Sequence, residues 1–160
     1  MLRAAARAQL ETGVGLTTHA TRGPQGLEQL DVLQQEGVDP RRVAIGHSGG
    51  FPIHNYHRRI AERGAYISFD RMGNAADANE FDKRRTLRLI RTLIEEGYTE
   101  NVLFSHDVCY RTDYAMYGGS GYDFLSVHGF AMLSEEIGLT EEQFQTIMID
   151  NPRRLMTGEA

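Results

Sequence analysis

Four short apolar runs in this chain each stop at a polar residue. VGLTTH (14–19) ends at His19, RVAIGH (42–47) at His47, AYISFD (65–70) at Asp70, and VLFSHD (102–107) at Asp107. Apolar runs this short, bounded by turn signals, are predicted to be buried strands of a parallel sheet. Helical patterns separate them: 25–36 with Leu27, Leu30 and Leu33 on one face, 53–63, and 80–96 with Leu87, Ile90 and Ile94. A helix over 2–12, with Leu2, Ala6 and Leu10 at four-residue spacing, precedes the first run. Helical stretches at 126–137 and 140–149, and a short turn after Pro152, close the chain. Gly13, Gly37, Gly64 and Gly97 sit where helices must stop. Such alternation predicts βαβ units, one parallel sheet and no second domain. In parallel α/β proteins the C-terminal edge of the sheet carries the chemistry. His19, His47, Asp107 and Arg71, which follows Asp70, are therefore expected on one rim.

Two imidazoles and a carboxylate at three strand ends suit a divalent ion such as Zn2+, since both groups offer lone pairs. The alternative is that each is a helix-capping or hydrogen-bonded residue. Strand parity puts His47 on the face of Ile45 and Val43, and Asp107 on that of Ser105 and Leu103, with His106 pointing the other way. The expected inner face thus carries Val43, Ile45, Ile67, Phe69 and Leu103.

The net charge of −5, with Arg and Lys interleaved among acids, gives no reason to expect nucleic acid. No apolar stretch approaches the roughly 20 residues of a membrane span. The N-terminal stretch lacks the apolar segment and cleavage site of a secretory signal. Cys109 is the single cysteine, so an internal disulfide is excluded and a reducing cytoplasm is the expected compartment.

TTH (17–19), IGHSG (45–49), FDR (69–71), TLRLIRTLIEEGY (86–98), LFSHDVC (103–109) and NPRRL (151–155) together resemble, in order, the C-terminal half of the phosphotriesterase-like family of the amidohydrolase superfamily. The resemblance covers essentially the whole chain. It implies a TIM (β/α)8 barrel represented by its C-terminal half, residues 1–160 forming one partial domain equivalent to strands 5 to 8. It implies a two-metal hydrolase of phosphotriesters, esters or lactones. His19 and His47 would ligate one ion; Asp107 would ligate the other and accept the proton of the attacking hydroxide. Arg71 and Cys109 would line the substrate pocket, and the loop after Asp107 would be its lid.

The departures are as informative. A TIM barrel has eight strands, typically in about 250 residues, and four are read here. The family's first-strand His-x-His pair is absent, as is the fourth-strand lysine whose carboxylated form bridges the metals; Lys83 is the only lysine. Gly50 stands where many relatives carry an aspartate of a proton relay. The expectation is a fragment, with a genuine half-barrel as the alternative. Such a chain would bind at most one divalent ion, weakly, and be inactive alone. Its partner would be the missing N-terminal half or a further copy. Two other readings stay open: a non-catalytic half-barrel serving binding or assembly, and an α/β enzyme using the same rim without metal.

His54 and His57, in a helix with Arg58 and Arg59, are expected at the surface. His106 and His128 are expected to be structural. Cys109 suits either a substrate wall or a small buried apolar position. Tyr110, Tyr114, Tyr117 and Tyr122 suit an apolar substrate wall or a loop packed on itself. GHSGG lacks the lysine and hydroxyl spacing of a P-loop.

Overall fold

The computed structural model describes residues 1–20, 23–73 and 80–159. Helix α1 (Leu2–Thr12) leads into β1 (Leu16–His19), α2 (Gln25–Gln35), β2 (Val43–Gly46), α3 (His54–Glu62), β3 (Tyr66–Phe69), α4 (Glu80–Glu95) and β4 (Val102–Phe104). A looped segment then leads to α5 (Phe130–Ile137), α6 (Glu141–Gln145) and α7 (Asn151–Thr157). The strands form one parallel sheet in the order β1-β2-β3-β4. Positive φ at Gly13 (72°) and Gly97 (91°) marks where α1 and α4 stop, as expected of helix C-caps. The loop expected at 70–79 lies mostly outside the described residues. No helix among the described residues is long and apolar enough to cross a membrane.

Two adjustments concern the chain's C-terminal helices. The stretch expected to be separate helices around 140–149 and after Pro152 is continuous from α6 through a π-helical turn at Thr146–Asp150 into α7. Pro152 follows the π-helical turn at the start of α7. A π-helical turn at Leu125–Gly129 likewise precedes α5. Leu10 of α1 is exposed, unlike Ala6.

The sheet faces are the larger correction. Val43, Ile45, Ile67 and Phe69 are fully buried and cluster with Leu27, Leu30, Leu33, Ile60, Ile90 and Leu93 of the helices. They face the helix layer, not the inner side of a barrel. The opposite face carries Ala44, Tyr66 and Leu103, covered by Leu155 of α7. Of the five residues expected on the inner face, only Leu103 is there, and it is 8% exposed. The inner face therefore does not present the wet apolar surface that parity predicts. Burying each large side chain against the helices contributes about 1.5–3 kcal/mol, and α7 covers part of the other side.

The opposite end of the sheet from the polar rim is closed by Arg42. Its guanidinium donates to the carbonyls of Gly13, Arg154 (3.1 Å) and Met156 (3.2 Å). It thereby ties the ends of α1 and α7 to the start of β2. Asn151 is fully buried and donates to the carbonyls of Thr99 (2.9 Å) and Val102 (2.8 Å), fixing α7 to β4.

Candidate active-site rim

Parallel pairing sets His19 opposite Gly46. A methyl group on Gly46 would lie 2.4 Å from the carbonyl oxygen of Thr18, so only glycine lets the ends of β1 and β2 approach this closely. The next residue, His47, has φ of 57°. Among the described residues, the non-glycine residues with positive φ are His47, Arg71 (68°) and Asp107 (51°). Each follows a strand at the same edge of the sheet. Left-handed backbone is disfavoured for side-chain-bearing residues and concentrates at functional sites.

This backbone turn explains why parity fails at the end of β2. His19 shares the face of Thr17, opposite Ala44, by register. The His47 ring lies edge-on to that of His19, with centroids 4.2 Å apart and planes at 69°. His47 therefore turns away from the face of Ile45 and Val43. The left-handed residue resets the alternation by which its face was inferred.

Asp70 holds His47 in this position. Its Oδ2 accepts the backbone N–H of His47 at 2.7 Å, and its Oδ1 lies 3.0 Å from His47 Nδ1. A proton on Nδ1 makes the second contact a hydrogen bond and leaves the lone pair on Nε2. Asp107 Oδ2 lies 3.9 Å from the same Nδ1. The backbone brings the two carboxylates together: Ser105 N–H donates to Phe69 O (3.2 Å) and Met72 N–H to Ser105 O (3.0 Å), extending the β3–β4 pairing past the strands. Burial pushes the Asp70 carboxyl above its ordinary range; the hydrogen bonds and charge of His47 oppose this, and the Asp107 charge adds to it.

His19, His47 and Asp107 thus lie at one rim, although β3 separates the strands of His47 and Asp107. Arg71 follows Asp70 at the same edge of the sheet and is half-buried. Asp70, in sequence no more than a strand end, is a further functional candidate. The signal was present: it occupies in its run the place that His47 and Asp107 occupy in theirs. A carboxylate on the distal ring nitrogen is the usual companion of a metal-ligating histidine, so the chemistry of His19, His47 and Asp70 fits part of a divalent-ion shell. Among the described residues, no group of three or more His, Cys, Asp or Glu could hold a metal ion. A cavity of about 260 Å3 between Val14, Thr17 and Met156 lies at the other end of β1.

Cys109 is exposed, which excludes the buried apolar role for it. Its backbone N–H (3.1 Å) and that of Tyr110 (2.9 Å) donate to Oδ2 of the buried Asp113. The loop after Asp107 packs on itself around this carboxylate. Tyr114 lies against Tyr122, and the Arg111 guanidinium covers Tyr117 at 4.2 Å. Ser120 Oγ donates to Gly73 O, joining the loop to the segment after Arg71. Tyr110 and Tyr122 remain well exposed. His106 accepts the N–H of Leu125 on Nε2 at 2.9 Å, the structural hydrogen bond expected of it. His128 is exposed and lies against Phe124. His54 is half-exposed and pairs with Glu96 at 2.7 Å. His57, expected at the surface, is fully buried.

This rim belongs to a known architecture. A resiniferatoxin-binding protein from Rhodobacter sphaeroides superimposes with a TM-score of 0.87 at 33% identity, over 96% of this chain and 45% of that one. A lactonase from Listeria monocytogenes gives a TM-score of 0.84 at 30% identity, over 99% and 49%. These neighbours are TIM barrels, and the four parallel strands with their helices form half of one. An aryldialkylphosphatase from Saccharolobus solfataricus is 33% identical over 168 residues, covering 98% of this chain and 52% of the relative. The chain spans about half the length of the curated relatives it matches. The phosphotriesterase family model matches residues 1–156, which include every strand, the three left-handed rim residues and all but the last residue of α7; the chain belongs to the phosphotriesterase family.

Proposed function

We propose that this chain is the C-terminal half, strands 5 to 8, of a metal-dependent hydrolase acting on lactones or on phosphotriesters and related esters. The observation that carries the proposal is the rim itself: His19 against His47, with Asp70 on His47 Nδ1 and Asp107 beside it. His19 and His47 would hold a divalent ion, zinc or one like it, and Asp107 would stand at a second. Such ions supply Lewis acidity and lower the pKa of bound water.

The chain's own residues have distinct tasks. Asp70 orients the His47 ring and fixes its tautomer. Asp107 receives a proton from the attacking water. Arg71, on the same rim, faces the polar end of the substrate, and Cys109 with the tyrosine-rich loop borders its apolar part. The missing donors would come from an N-terminal half or a further copy, completing a shell for two ions. The lone exposed cysteine suits a reducing cytoplasm.

A non-catalytic half-barrel used for binding or assembly is the second reading. The open metal shell favours it. Co-expression with the N-terminal half of a close relative, carrying its His-x-His pair and bridging lysine, separates the two. The hydrolase reading expects turnover of a lactone or aryl phosphotriester by the pair, none by the chain alone, and loss of turnover in Asp107→Asn. A soluble, assembled pair with both ions bound and no turnover of either substrate supports the second reading.

A further inference from the structure

His57 lies behind the rim, one residue removed from both members of the His47–Asp70 pair. Its ring is fully buried in α3. Nε2 is 3.0 Å from the carbonyl oxygen of Ser48, which follows His47. Nδ1 is 2.9 Å from the carbonyl oxygen of Ile53. The ring stacks on Phe69, which precedes Asp70, with centroids 5.8 Å apart at 21°. Tyr56 meets it edge-on at 5.0 Å. Ser48 is gripped from its other side, where its hydroxyl donates to Ile45 O at 2.8 Å.

Carbonyl oxygens only accept. A neutral imidazole has one N–H, so one of these two contacts would set a nitrogen lone pair against an oxygen lone pair. Both contacts are hydrogen bonds only if both nitrogens carry protons. We propose that His57 is a positioning residue for His47: a buried, doubly protonated ring whose two N–H groups clamp the Ser48 and Ile53 carbonyls and hold the turn that keeps His47 left-handed.

Burial is the largest influence and draws the ring below its ordinary pKa of 6.5, and the charge of His54 earlier on α3, itself paired with Glu96, adds to this. The two carbonyls favour the proton. The π face of Phe69 lies within the range at which rings attract cations. Charge-assisted hydrogen bonds are about twice as strong as neutral ones, which is what a buried ring without a carboxylate partner needs. The functional meaning of the clamp rests on the proposed role of His47, but its geometry does not.

The test is made on the full chain without metal or substrate, so it is independent of the hydrolase reading. Long-range 1H–15N correlation of the histidine rings at pH 7 is expected to show both His57 nitrogens in the protonated range. One nitrogen in the unprotonated range overturns the proposal, and this measurement needs no variant. His57→Leu, which fills the site without donors, is expected to change the His47 backbone coupling that reports φ and to shift its ring signals. A folded His57→Leu chain with unchanged His47 signals and only a lower melting temperature would reduce His57 to a structural residue and also overturn the proposal.

Discussion

Asp70 grips His47 twice, with one carboxylate oxygen on its backbone N–H at 2.7 Å and the other 3.0 Å from its Nδ1. The first contact stabilises the left-handed backbone, and the second sets the ring. Asp70→Asn retains an acceptor for the N–H but presents an amide N–H or a neutral oxygen to the ring. The His47 proton is expected to move to Nε2 in a substantial fraction of molecules. Affinity for a divalent ion at His47 should fall roughly 10–100-fold, the usual cost of losing such a partner. Ring 15N shifts and cobalt titration check the two parts separately.

Metal binding by the chain alone is expected to be weak and below one ion per chain, because two imidazoles do not close a shell. His47→Ala should abolish it. Elemental analysis after dialysis against dilute zinc is the measurement. Two tightly held ions per chain would contradict the division of ligands proposed for the two halves.

Gly46→Ala tests the close approach of β1 and β2. The new methyl would meet the Thr18 backbone oxygen at 2.4 Å, and backbone cannot rotate away as a side chain can. Separation of the strand ends should cost roughly 1–3 kcal/mol, as overpacking does, and should pull the His19 and His47 rings apart. A shifted denaturant midpoint together with altered His19 ring signals is expected; an unchanged midpoint would refute the close-packing argument.

Asn151→Ala removes the donors to Thr99 O and Val102 O. Leaving the buried Val102 carbonyl unpaired costs about 1–3 kcal/mol, and the part-buried Thr99 carbonyl less. The midpoint of chemical unfolding should fall accordingly. Asn151→Asp should be at least as damaging at neutral pH, because a carboxylate has no proton to give to either oxygen.

Alkaline pH should destabilise the fold through Tyr56 and Tyr66. Burial pushes both phenols above their ordinary value of 10.0. Below pH 10 both states keep the proton and nothing is lost. Between the unfolded and the raised folded values, the unfolded chain ionises first, so stability falls as pH rises. Tyr66→Phe should remove its share of that fall. Tyr56→Phe should remove its share too but lower stability at neutral pH, because the Tyr56 hydroxyl accepts the Gly26 N–H at 2.9 Å. Thermal melts at neutral and strongly alkaline pH distinguish the two variants.

By itself, the sequence determined the order of the elements, the parallel sheet, and the rim on which His19, His47, Arg71 and Asp107 stand. These follow from local causes: a run of apolar residues too short for a helix, a helical period between runs, and a glycine where each helix must end. The tertiary structure decided which way those side chains face. Parity carries a side chain's direction only while the backbone stays extended, and it lapsed at His47, where φ is positive, while Asp107 kept the face of Leu103. Val43, Ile45, Ile67 and Phe69 were consequently assigned to the wrong face, since β2 and β3 are buried on both sides and show no alternation. His57 looked like a surface residue beside Arg58 and Arg59, yet Tyr56, His57, Ile60 and Ala61 form the buried stripe of α3. The period of that stripe was legible, but the two carbonyls that satisfy the ring were not. One lies across a turn and the other a helical turn back, and only folding brings them to the same histidine.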